Sequence, residues 1–447
     1  MHDSRDERAR DAFANAVGEI AGLEAWDHWA EDPKVARDLL ARLYHALSAA
    51  PQGLRDNRVE GYVEAMIDAG VQQIGTGLDS ADGWFWPDLK RDPVEQIFDS
   101  AFVAMRYLDE ALSQQPVVLM PDTLDEFETD TGYFVMPCRK ITGGRERMTG
   151  QGLSRRGLLY HRIAPMYHDG LKLALHLHPD VRLAPDQRPR MRRVGAAVFP
   201  GLELDTVPSA IDKAGNFLVT GVRCDMPQEQ TVAEQVQAAM ADNCDTLIWP
   251  ELTMPPQRVD QVRALLRDTP LGGAHPPLVV TGSWHEEVGA RHRNRGWVLD
   301  GRGEPLLCFD KCLAFMVRGS PDGSAEDIEP GDTVHLLWAG DELIVFQICL
   351  DFCHLNREAL LRACDSSLMI VPSMGEGSTI RNHMSRAERL QISNNARTVV
   401  VQQELNTPKN APFGYILPGA AKPQEYAEKA TLTSQQFSSF YIDGEES

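Results

Sequence analysis

The chain has 447 residues, 43% of them hydrophobic and 24% charged, with a formal net charge of −21. Such a composition fits a soluble globular protein of about two to three domains, or one large α/β unit with an extension. The acidic balance argues against a general attraction to nucleic acid or anionic membrane, and no run approaches the ~20 apolar residues of a membrane span.

The first residues (MHDSRDERARDAF) are charged and lack the apolar core of a secretory signal. The expected location is a reducing cytoplasm, where free thiols persist. The eight cysteines show no C-x-x-C spacing. Cys308/Cys312 and Cys349/Cys353 are four apart with no companion His/Cys cluster, so neither a zinc site nor any other metal or cofactor is expected.

Up to about residue 190 helical periodicity dominates. Apolar residues recur at three- and four-residue spacing over Pro33–Ala49, Arg58–Gln73, Pro93–Ser113 and Leu158–Leu175. Asp32 before Pro33 reads as an N-cap followed by a first-turn proline. Pro116–Met120 reads as a strand. The acids of DTLDEFETDTG lack calcium-loop spacing and read as a solvated loop. This first part, residues 1–190, is expected to be a mainly helical domain of unassigned role. The basic run Arg188–Arg193 reads as a solvated loop between domains, with a phosphate- or nucleic-acid-contacting patch as the alternative, and 191–214 as a linker or domain edge.

From there the pattern alternates. Strands are expected at Asn216–Arg223, Thr246–Trp249, Pro277–Trp284, Leu343–Ile348, Ser367–Val371 and Thr398–Gln402. Helices are expected at Gln228–Asp242, Arg258–Arg267, Arg357–Ala363 and Arg386–Ala396. Gly296–Asp300 and Pro305–Phe309 flank GRG as a hairpin, which makes the sheet mixed. The whole belongs to the α/β class. Beyond 406 a loop and a tail (421–447) are expected, with a weak strand near Ser438–Ile442.

Three strand ends carry chemistry. Glu251 ends DTLIWPE, Lys311 ends PLLCFDK and Cys349 ends LIVFQIC. Open α/β proteins place their sites outside such strand ends. A thiol, an acid to take its proton and a fixed cation are the parts for covalent attack on a carbonyl or nitrile carbon. A lone cysteine at a strand end is more often structural; the warrant here is the set. Cys353, one helical turn on, is expected to pack or line the pocket, as are Trp284 and Phe315. Cys312 is expected to point away from the site. Asp351 reads as a cap, and His354 as too close in sequence to reach back to the thiol.

These segments resemble the carbon–nitrogen hydrolase, or nitrilase, superfamily over roughly residues 215–420. IWPEL resembles the segment of that family's general-base glutamate. RNRGWVLDGRGEPLLCFDK resembles the hairpin leading to its lysine, and IEPGD its Pro-Gly turn. QICLDF resembles the nucleophile elbow, IVPSMGEGS the strand and loop after it, and RAERLQISNNARTVVVQQ the next helix and strand. The first 190 residues resemble nothing in that family. The resemblance implies a four-layer α-β-β-α sandwich. It implies Glu251 as base, Lys311 as electrophilic cation and Cys349 as nucleophile, with the Leu350 N–H as oxyanion donor. Glu326, preferred over Glu329, would be a supporting acid. The implied activity is hydrolysis of a small amide-type C–N bond through a thioester, with nitriles and carbamoyl compounds as further substrate classes and a homo-oligomer as the assembly. A reading of another class makes the chain an effector or scaffold of a multi-component response system whose helical half senses or docks a partner.

Overall fold

The computed structural model describes residues 3–62, 64–78, 86, 91–114, 124–137, 153, 157–178, 193–208, 216–269, 275–316, 324–339, 342–405, 412–420 and 422–442. Pro116–Met120, most of the basic run and the first acid of DTLDEFETDTG, Asp122, lie outside them. The chain divides into two compact units, Met1–Met166 with Ala363–Asp365, and Tyr167–Arg362 with Ser366–Ser447.

The first unit opens with helices α1 (Asp3–Ala21), α2 (Pro33–Ala49), α3 (Gln52–Gly61), α4 (Glu64–Leu78) and α5 (Val94–Ser113). Asp32 caps α2 through the Lys34 N–H, with Pro33 in the first turn, as its sequence implies. Leu39, Leu40, Leu43 and Leu47 of α2 join Phe98, Phe102, Met105 and Leu108 of α5 in one buried cluster. Helix α1 was not anticipated, because its charged face masks the stripe Phe13, Val17 and Ile20 that it buries in the same cluster. The run expected as one helix at 58–73 is interrupted at Tyr62, which is extended.

Leu158–Leu175, expected as a helix, is three strands: β2 (His161–Pro165), paired with β1 (Tyr133–Pro137), then β3 (Tyr167–His168) and β4 (Leu171–Leu177). Asp169 and Gly170 take φ of 49° and 78°, the backbone of a tight hairpin turn. Leu171, Leu173 and Leu175 are buried while Lys172 is exposed, a period of 2 rather than 3.6. Apolar residues at i and i+4 satisfy both periods, which is how the misreading arises.

The second unit continues with β5 (Arg193–Ala197), β6 (Glu203–Pro208), β7 (Phe217–Arg223), α6 (Gln228–Ala241), β8 (Thr246–Ile248), α7 (Pro256–Arg267), β9 (Leu278–Val280), β10 (Trp284–Val288), β11 (Arg291–Asp300) and β12 (Pro305–Asp310). Then come β13 (Thr333–Ala339), β14 (Glu342–Phe346), α8 (Leu350–Cys353), α9 (Glu358–Ala363), β15 (Leu368–Met374), α10 (Gly377–Asn394), β16 (Arg397–Gln403), β17 (Gly414–Leu417), α11 (Glu425–Lys429), β18 (Thr431–Thr433) and β19 (Phe437–Tyr441). A seven-stranded sheet runs β10-β11-β9-β8-β5-β19, with β12 on β11; an eight-stranded sheet runs β18-β17-β16-β15-β14-β13-β4-β3.

Both sheets contribute to one core. Ala196, Ile248, Val280 and Val298 of the first share a buried cluster with Leu337, Ile344, Ile370 and Val401 of the second. The alternate residues Ala197, Leu247, Val279 and Leu299 pack instead with Val232 and Val236 of α6 and Val259 and Val262 of α7. Strands buried on both faces read as continuous apolar runs, as these do. Helix α10 packs on β16.

The connection expected at 191–214 is strand-forming, and the tail holds more than the weak strand expected near Ser438–Ile442, which is β19. The connection 191–214 contains β5, which sits between β8 and β19, and β6, which forms a hairpin with β7. The small residues of RVGAA hid a central strand. The tail 421–447 contains α11, β18 and β19, and β19 pairs with β5 along its length. Short, Ser/Thr-rich edge strands carry little periodicity of their own.

Candidate active site

The turn after β8 presents Glu251. Leu252 follows in the left-handed region (φ 55°), and its N–H donates to Ser283 Oγ at 3.2 Å. Gly282 makes this turn possible: a Cβ there would sit 2.0 Å from the Pro250 carbonyl oxygen. Lys311 directly follows β12. Leu307, Phe309 and Lys311 share one strand face, so the ammonium emerges where the core residues Leu307 and Phe309 end. Cys349 follows β14 with φ 43° and ψ −99°, a strained conformation for a residue with a Cβ. Its N–H is held by the Pro372 carbonyl of the neighbouring parallel strand at 2.9 Å.

Lys311 Nζ donates to Glu251 Oε1 and to Glu326 Oε2, both at 2.7 Å. All three groups are at most 3% exposed. Asn294 Nδ2 spans the same carboxylates, 3.0 Å from Glu251 Oε1 and 2.7 Å from Glu326 Oε1. Glu326 also accepts from His285 Nε2 at 2.8 Å and from the Phe315 N–H at 3.0 Å. Met374 connects acid to thiol: its N–H donates to Glu251 Oε2 at 3.1 Å, and its carbonyl accepts from Cys349 Sγ at 3.4 Å. Glu251, Lys311, Glu326 and Cys349 thus converge in one buried cluster.

The charge balance follows from this geometry. Burial would push the Lys311 ammonium down, but the pull of Glu251 and Glu326 prevails and raises it well above the usual lysine value. Burial would push Glu326 up, but Lys311 and the His285 hydrogen bond hold it well below the usual carboxylate range. The Cys349 thiol goes the other way. Burial and the charge of Glu251 drive it well above an ordinary thiol, with Lys311 opposing. The Cys349 thiol donates to the Met374 carbonyl, and burial favours this neutral form over a thiolate.

The remaining residues sort by contact. Leu350 opens α8, so its N–H is a helix N-terminal amide with no carbonyl four residues back to accept it. Cys353 closes α8 half-buried, its thiol pushed up to about 11 by burial. Trp284 is buried against Val219 and Leu252. The Phe315 side chain is 44% exposed; what it contributes to the cluster is its N–H. Glu329 lies outside, paired with Arg293 at 3.2 Å. Cys312 turns its sulfur toward the Asp310 and Thr333 carbonyls. Nδ1 of His354 accepts the Asn356 N–H at 3.4 Å and caps the short turn Leu355–Arg357. Asp351 does not cap: its Oδ2 accepts the Cys312 N–H at 2.8 Å, tying the lysine strand to the cysteine elbow.

Sequence reasoning missed His285, Asn294 and Met374. Asn294 left a signal. It shares a β11 face with Gly296 and the core residue Val298, and an amide on a buried face needs polar partners. His285 and the Met374 main chain left none.

No family model matches the chain, and no curated protein matches it. Among solved structures, an amidase from Nesterenkonia sp. is 15% identical with a TM-score of 0.39, covering 58% of this chain and 94% of that one. A variant of that amidase, with the acetamide moiety of fluoroacetamide added covalently at its active-site cysteine, is 15% identical with a TM-score of 0.37, covering 57% and 92%. A CN-hydrolase superfamily protein from Xanthomonas campestris with an arsenic adduct in its active site is 12% identical with a TM-score of 0.38, covering 57% and 91%. Likeness at this level assigns no activity to this chain. The Nesterenkonia amidase is a nitrilase-superfamily protein.

Proposed function

We propose that the second unit is a carbon–nitrogen hydrolase of the amidase type, acting on a small non-peptide amide through Glu251, Lys311 and Cys349. The observation that carries this reading is the buried junction itself: Lys311 shared by Glu251 and Glu326, with Glu251 joined to Cys349 through the main chain of Met374.

The thiol is protonated at rest, so attack and deprotonation go together. Sγ bonds to the carbonyl carbon as its proton passes to Glu251. Negative charge develops on the carbonyl oxygen, where the Lys311 ammonium and the Leu350 N–H stabilise it; one such donor contributes about 3–4 kcal/mol at the transition state. Glu251 then gives its proton to the leaving nitrogen as the C–N bond breaks, which leaves an acyl-thioester on Cys349. Glu251 next takes a proton from water, whose oxygen attacks the thioester. Collapse returns that proton to the sulfur and releases the acid. Glu326 stays ionised and holds Lys311 in place. Cys353, Trp284 and Phe315 line the approach. The reading extends to a four-layer α-β-β-α arrangement of this unit, a homo-oligomer and a cytoplasmic location. The scaffold reading has no observation in its favour.

The test is turnover of an amide, nitrile and carbamoyl panel by the full chain, with peptide mapping after treatment with a chloroacetamide probe. The expected result is release of ammonia or amine from at least one class, and modification of Cys349 ahead of the other cysteines. Both should vanish in Cys349→Ala and fall by about a hundredfold or more in Glu251→Gln. Equal labelling of Cys349 in wild type and Glu251→Gln, with no turnover, would overturn the proposal.

A further inference from the structure

Glu251 and Glu326 hold the same ammonium, and what separates them is the number of donors each receives. Glu326 accepts four: His285 Nε2 and Asn294 Nδ2 on Oε1, and Lys311 Nζ and the Phe315 N–H on Oε2. A carboxylate has about four lone-pair sites, so Glu326 is filled. Among the described residues, Glu251 accepts two on Oε1 and only the Met374 N–H on Oε2. One direction on Oε2 is left for a proton, on the oxygen that Met374 links to Cys349.

His285 sits at the root of this difference. It is 5% exposed, on β10 beside Trp284. The Val219 N–H of β7 donates to its Nδ1 at 2.9 Å. A ring nitrogen that accepts carries no proton, so the ring proton is on Nε2, the atom 2.8 Å from Glu326 Oε1. A main-chain donor on one strand therefore fixes the tautomer that points a proton at Glu326. The segment bearing Glu326 is stitched to the same strand: the Phe217 N–H donates to the Ala325 carbonyl at 3.0 Å, and the Asp327 N–H to the Phe217 carbonyl at 3.0 Å.

We propose that His285 is a positioning residue that keeps Glu326 a permanent carboxylate, so that Glu251 alone exchanges protons with Cys349. This rests on the proposed function and deepens it. Without the Nε2 donor, Glu326 gains an open lone pair and competes for the proton. Once protonated it releases Lys311 wholly to Glu251, which becomes the weaker base. Lys311, Glu251 and Cys349 are the other titratable groups of this cluster, and Asp351 and Cys353 face it from the cysteine elbow.

The test is the pH dependence, from 3 to 9, of Cys349 alkylation by iodoacetamide in the full chain, followed by peptide mass mapping. Wild type should show an acid limb, below which labelling falls. His285→Leu should move that limb up by about one pH unit. His285→Gln should restore it, because a glutamine amide supplies both an acceptor for Val219 and a donor for Glu326. Should His285→Leu fail to fold, His285→Phe, which keeps the ring, takes its place. A limb left at the wild-type pH, with labelling slowed equally at every pH, would mean that His285 only fills space, and the inference falls. Cys349 in wild type labelling no faster than the other cysteines would instead remove the function on which the inference rests.

Discussion

Each unit buries a cluster of charged groups, and the two are built differently. In the first unit Asp109, fully buried, accepts the Leu159 N–H at 2.5 Å, the Tyr160 N–H at 3.1 Å and His161 Nδ1 at 2.9 Å. Two of those donors are main-chain amides of the turn leading into β2. The acid fastens a loop, and its hydrogen-bond partners among the described residues are these three donors. In the second unit two acids share one lysine, a thiol stands next to them, and Glu251 keeps an open lone pair. Buried charge alone therefore does not mark a site. An acceptor left incompletely filled beside a strained nucleophile does.

The sharpest way to break this comparison is to remove the cation. Lys311→Met leaves Glu251 and Glu326 buried around one Asn294 amide. Removing one partner of a buried ion pair costs about 3–5 kcal/mol, and loss of the electrophilic cation should cut Cys349 acylation by about a hundredfold or more. Denaturant unfolding and probe labelling read the two effects. Unchanged stability would mean that the cluster is held by packing rather than charge, and the contrast with Asp109 would collapse.

The sequence carried the second cluster better than the first. Glu251, Lys311 and Cys349 each end an apolar run, so period and position betrayed them. The parallel strands β8, β14, β15 and β16 were legible for the same reason: being buried on both faces, they read as unbroken Val/Ile/Leu. What stayed hidden depends on partners far away in sequence. Nothing near His285 announces Glu326, 41 residues on. Met374 acts through its main chain, which no side-chain pattern encodes. Strand β5 is made mostly of small residues whose strand character comes from its neighbours. Lys311 does pull the Cys349 thiol down, but burial and the charge of Glu251 outweigh it, and burial is a property of the fold.

Asp109→Asn sharpens the comparison from the other side. The amide keeps one acceptor oxygen for three donors, so at least one buried donor is left unpaired, at a cost of about 1–3 kcal/mol. Hydrogen exchange at Leu159 and Tyr160 should rise as unfolding shifts. The rate of Cys349 labelling should not change, because the Asp109 cluster has no part in the chemistry. A parallel loss of labelling would mean that the two clusters are coupled.

The smallest expected effect is at Asp351, which joins the two kinds of role. Like Asp109 it holds a main-chain amide, that of Cys312, but it does so between the lysine strand and the cysteine elbow. Burial raises its carboxyl to about 7. A folded-state value above the unfolded one means that the folded protein binds this proton more tightly. The resulting stabilisation is complete below pH ~4 and is lost as pH rises toward about 7. Asp351→Asn keeps an acceptor for Cys312 and has no proton to lose. Its stability relative to wild type should therefore climb between pH 5 and 8, by on the order of 1–3 kcal/mol, when followed by denaturant unfolding at each pH. Parallel curves would show that Asp351 is already ionised at pH 5, held so by Lys311. The elbow would then be tied to the lysine strand by charge as well as by a hydrogen bond, and Asp351 would belong with Glu326 rather than with Asp109.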